Sequence, residues 1–185
     1  MLLTLKKKAA PAQEPGVFDL LMACHERIRR FTSMASFLAH ATTTTHDPDH
    51  GSPGDAVRET AAAVLRYFTV ALPSHSADED RSIAPRLRVR PLPSEIAAGL
   101  ARMNEQHVAI EALVVELVPS WSAIVEDPHA LPDHAAAMSR RVERLRALWD
   151  AHLHLEETSV FPLARARLTP AEQREILLEM RARRR

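Results

Sequence analysis

Apolar residues recur at three- and four-residue intervals along five stretches of the chain. The first carries Val17, Leu20, Leu21, Cys24, Ile28, Phe31 and Leu38, which predicts a helix with one buried face running to about His40. The second begins near Asp55 and passes Leu65, Phe68 and Leu72 toward Leu87. A third opens at Ser94, read as an N-cap with Glu95 behind it, and repeats Ile96, Leu100, Met103, Ile110, Val114 and Leu117. The fourth spans about Asp133 to Arg165 through Val142, Leu145, Leu148 and Trp149. A shorter fifth starts at the capping pattern Thr169 to Glu172 and ends in the run RARRR. Proline clusters separate these stretches, and Ala41 to Gly54, with four consecutive threonines, reads as a turn-rich loop. Pro73 falls inside the second stretch and predicts a kink there.

Four long amphipathic helices with modest connections predict an all-α, up-down-up-down four-helix bundle with a short additional C-terminal helix. Thirteen prolines stand against four glycines, and Ala, Leu, Arg and Glu dominate where strand-like alternation would be expected, so the composition agrees. The expected division is an extended or disordered segment over 1–15, the bundle over 16–167, and the C-terminal helix with its arginine-rich tail over 168–185.

The second and fourth helices share a phrase. From His75 the chain reads HSADEDRSIAPRL and from His152 it reads HLHLEETSVFPLA, a common pattern H-x-x-x-E-[DE]-x-S-[IV]-x-P. Residues four apart lie on one helix face, so His75 with Glu79, and His152 with Glu156, form two-donor sets. Both sets continue the apolar stripes, through Phe68 and Leu72 and through Leu145 and then Trp149 or Leu148, and should point inward. His25, between Leu21 and Ile28, and His107, between Met103 and Ile110, place one histidine on the buried face of each remaining helix. So many ionisable groups cannot be buried without compensation. Two cations, each bound by two imidazoles and sharing two bridging carboxylates, would use all six donors and leave coordination positions open. Imidazole and carboxylate without thiolate suit iron or manganese, with zinc also compatible. With Cys24 as its single cysteine, the chain has no internal disulfide and no Cys-rich zinc or iron–sulfur site.

These residues resemble the hemerythrin-like family of HHE cation-binding domains. The likeness covers about Val17 to Arg167, in the order H…HxxxE…H…HxxxE, through ACHERIRRF, HSADED, NEQHVAIE and HLHLEETSVFP. It implies a non-haem di-iron centre held by His25, His75, Glu79, His107, His152 and Glu156, with an open site for O2, NO or peroxide. Oxygen-carrying hemerythrins have a second histidine four residues after the one on the third helix. Here Glu111 occupies that position, which argues against reversible oxygen carriage and leaves Glu111 as an additional ligand or a solvated residue. The family's implied role is a binding or sensing module for O2, NO, iron or redox state. An enzyme of peroxidase or oxidase type and a metal-free interaction bundle are the alternatives.

With 24 basic and 24 acidic side chains, the balanced charge argues against a general nucleic-acid binder. Met1 to Lys8 puts its apolar residues ahead of three lysines, the reverse of a secretory signal. No apolar run approaches membrane-spanning length by this reading, so a cytoplasmic protein without membrane contact is expected. His154, two residues from His152, should face away from the donors, and His40, His46, His50, His129 and His134 fall in or near loops. Cys24 and Tyr67 read as packing residues, and the terminal arginines as a solvated tail.

Overall fold

The computed structural model describes residues 14–41 and 53–185. Helix α1 is Val17–His40, α2 spans 53–88, α3 is Ser94–Glu126, α4 spans 131–167 and α5 is Pro170–Ala182. No strand occurs among the described residues. The long helices close a ring in which α1 packs on α2, α2 on α3, α3 on α4, and α4 back on α1. The fold is the expected all-α bundle with an added C-terminal helix. Most of the loop expected over Ala41 to Gly54 lies outside the described residues, as do residues 1–13, and α2 already begins at Pro53.

The core is split in two. One apolar cluster contains Ile28, Phe68, Leu72, Ile110, Trp121, Trp149 and Leu153; the other contains Leu21, Ile83, Met103, Val160 and Phe161 together with Ile176 and Met180 of α5. Fully burying such side chains contributes about 1.5–3 kcal/mol each. Along α1 the chain passes from the second cluster to the first, along α2 back again, and α3 and α4 repeat the alternation. That alternation is the up-down-up-down order, and on all four helices the candidate donors fall at the crossing point.

Both donor-bearing repeats share a local departure from α-helix. In α2, π-helical turns occupy Tyr67–Ala71 and Glu79–Ile83; in α4 one occupies Glu156–Val160. Each stops two residues before a proline, Pro73, Pro85 and Pro162. The amide just ahead of each proline bonds five residues back: Leu72 to the Tyr67 carbonyl, Ala84 to Glu79 and Phe161 to Glu156. Proline has no N–H, and its ring crowds the carbonyl four residues earlier. A widened turn relieves that crowding and lets the helix continue. The kink expected at Pro73 therefore takes the form of a π turn, and the same device begins at Glu79 and Glu156.

Two boundaries differ from expectation. Helix α3 is capped at Pro93, not Ser94, and it passes Pro119 to end at Glu126. By length and composition alone this helix is apolar enough to cross a membrane, contrary to the sequence reading. In the bundle its buried face carries His107 and packs on α2 and α4. The capping box at Thr169 forms as read: the Glu172 amide donates to Thr169 Oγ1 at 3.2 Å, and the Thr169 amide donates to Glu172 Oε2 at 2.8 Å.

Candidate metal centre

The repeated phrase delivers its donors because a helical turn stacks residues four apart on one side. His75 Nε2 lies 3.4 Å from Glu79 Oε1, and His152 Nε2 lies 3.1 Å from Glu156 Oε1. His25 on α1 brings its Nε2 to 3.2 Å from Glu156 Oε2 and 4.0 Å from Glu79 Oε1. His107 on α3 brings its Nε2 to 3.3 Å from Glu79 Oε2 and 3.0 Å from His152 Nε2. All six residues are buried, none more than 3% exposed. Their packing is aromatic on two sides: Phe161 stacks on His25 with centroids 5.2 Å apart, and Trp149 meets His152 edge-on at 5.4 Å.

The donors form two groups, His25, His75, Glu79 and Glu156, and then Glu79, His107, His152 and Glu156. Within each group the ligand atoms lie within 4.8 Å of one another. Both glutamates belong to both groups, while each imidazole pair comes from one consecutive pair of helices. All four carboxylate oxygens, both nitrogens of His75 and Nε2 of His25 are buried without a hydrogen-bond partner. Buried polar atoms are rarely left so, because each unsatisfied one forfeits its solvation. A cluster of orphaned oxygen and nitrogen donors aimed at shared points is what bound cations would complete, and the residues present suit that role.

The outward ring nitrogens of His25, His107 and His152 are held separately. His25 Nδ1 donates to Glu157 Oε1 at 2.7 Å, and Arg29 donates to the same oxygen at 2.7 Å. His107 Nδ1 donates to Asp80 Oδ2 at 3.0 Å, and His152 Nδ1 to Gln106 Oε1 at 3.1 Å. A hydrogen bond at Nδ1 fixes the tautomer whose Nε2 lone pair faces the site and raises its basicity. Asp80 and Glu157 are the second acids of the two E-[DE] pairs. The sequence displayed them in the repeat, but their role was missed; Gln106 and Arg29 carried no signal.

Charge in the cluster is strongly coupled. Burial alone would lower the His25 pKa, but Glu156, Glu79 and Glu157 outweigh it and raise the ring to about 10. His107 likewise rises to about 10, burial being overcome by Asp80 and Glu79. Burial would raise the Glu79 carboxyl, yet His75, His107 and His25 hold it well below the ordinary carboxylate range. Without metal, protons on the imidazoles stand in for cations.

The family model for the hemerythrin HHE cation-binding domain matches residues 16–170. The chain belongs to that family. It is also similar to an uncharacterized protein of Haemophilus influenzae, 30% identical over 168 residues, which cover 88% of this chain and 84% of the relative. In this hemerythrin-like bundle Glu111 is exposed and outside both donor groups. His154 is exposed as expected, and His40 is exposed with its Nδ1 bonded to the Ser36 carbonyl at 2.8 Å. His134 reaches Ser120 Oγ at 3.2 Å, and His129 is exposed. His46 and His50 lie outside the described residues. Cys24 is buried and accepts from Arg27 Nη2 at 3.2 Å, while Tyr67 stacks on Phe31 at 4.0 Å.

Proposed function

We propose that this hemerythrin-like protein binds two irons through His25, His75, Glu79, His107, His152 and Glu156, and uses them to bind or sense O2, NO, or the iron or redox state. The observation that carries this reading is the pair of four-donor groups with shared, unpartnered carboxylates in a buried layer. Family membership supports cation binding, and the nitrogen and oxygen donor set suits iron, as it also suits manganese and zinc. Iron in such a site supplies open coordination positions for a small ligand and one-electron redox chemistry. The protein's part is to hold four Nε2 atoms inward, keep the Glu79 carboxylate ionised through the surrounding imidazoles, and close the layer with apolar residues on either side. The exposed Glu111 adds no donor and supports a role other than reversible oxygen carriage.

Metal analysis of protein prepared aerobically and anaerobically is the first test, with about two irons per chain expected, one for each donor group. Fewer than one metal per chain in both preparations overturns the reading. Absorption spectra of the reduced protein should then change on adding O2 or NO. Sustained consumption of peroxide with an electron donor would instead mark an enzyme.

A further inference from the structure

The residue ahead of Glu79 is Asp78, a carboxylate with 0% exposure. Its two oxygens are met by the tail: Arg183 Nη1 lies 2.7 Å from Oδ1, and Arg184 Nη2 lies 2.5 Å from Oδ2. Four residues on from Asp78, Ser82 is also buried, accepts from Arg183 Nη2 at 2.6 Å and donates to Glu179. Glu179 is paired in turn with Arg86 at 2.7 Å. Asp78 and Ser82 thus bracket Glu79 and fasten that turn of α2 to α5. The duplicated turn on α4 lacks this arrangement, since the position matching Asp78 is Leu155. The family match ends at residue 170, so the arginines lie beyond the matched region.

We propose that Arg183 and Arg184 are positioning residues for the candidate metal centre: by neutralising Asp78 they hold the His75–Glu79 turn in register, so that retention of the cation on the His25, His75 group depends on the C-terminal tail. The inference rests on the metal-binding reading above. A buried carboxylate stripped of its partners must find water, and α2 supplies that only by turning or shifting at the residue next to a shared ligand. His75 serves one group alone, so the two cations feel the change unequally.

The test loads full-length protein anaerobically with ferrous iron and follows release to a chelator. Wild-type protein should release two irons slowly. The R183A/R184A variant should lose one of them at least tenfold faster, and adding D78N should restore the slow rate because no buried charge remains to be matched. Arg184→Ala alone, which leaves Arg183 in place, should fall between. Arg181→Ala, which removes only an exposed pair with Glu14, should behave as wild type. Met180→Ala weakens the packing of α5 without touching the arginines; it should lower the melting temperature while keeping both irons. Unchanged release from R183A/R184A, failure of D78N to restore it, or equal loss from M180A overturns the inference. Wild-type protein that takes up no iron overturns the reading of the centre itself, and this inference with it.

Discussion

Glu157 and Asp80 show how one position along a helix separates two tasks. Glu156 and Glu79 face the interior, while the next residue, rotated by about 100°, reaches a neighbouring helix and holds the outward nitrogen of His25 or His107. Replacing either second acid by its amide should weaken cation binding roughly 10- to 100-fold, measured by chelator competition, while His154→Ala changes nothing. The convergence of the six inward side chains was legible because period and repetition agreed. The second acids were not, because a residue beside a ligand acquires its role from whichever helix lies opposite. The raised pKa values of His25 and His107 set a pH signature. For metal-free protein the stabilisation from these rings is complete below about pH 6.5, the unfolded value, and is lost as pH rises toward about 10. Metal-loaded protein should show the opposite slope at the acid end, since imidazolium cannot coordinate. Thermal melts from pH 5 to 10, with and without chelator, check both. Cation uptake at pH 7 should release at least about two protons per chain, read by calorimetry in buffers of different ionisation enthalpy.

The helices themselves were readable from spacing and capping, as Thr169 and Glu172 illustrate, but the π turns were not. A proline inside an apolar pattern announces conflict with the carbonyl four residues back; whether the helix stops, bends or widens depends on what holds both ends. Here the apolar layers hold them, and Glu79 and Glu156 each open a widened turn. The extra residue sets the phase of everything beyond it. Deleting Thr158, an exposed residue within the turn of α4, should rotate Val160, Phe161 and Ala164 by roughly 100° out of their cluster. The expected loss is at least about 3 kcal/mol, the scale of emptying a buried phenylalanine site, measured by urea unfolding. A loss below about 1 kcal/mol would mean that the turn does not set the phase.

For the molecule as a whole, a layer of charge divides two apolar cores, and cation binding and folding become one equilibrium. Removing metal should lower stability by about 4 kcal/mol relative to protein held at a thousandfold excess over the dissociation constant, visible as a drop in melting temperature. The ring of four helices was legible because the order of donors repeats. The docking of α5 was not, since pairing between Asp78 and a residue 105 positions away leaves no trace in local pattern. The crossed acids carry a further consequence. Asp80, on the first pair of helices, steadies an imidazole of the second pair, and Glu157 returns the contact to the first. A chain cut between 88 and 94 would yield two hairpins that are each other's missing part: either fragment alone would keep a stranded charge at mid-height, and only their reunion would rebuild a complete donor shell.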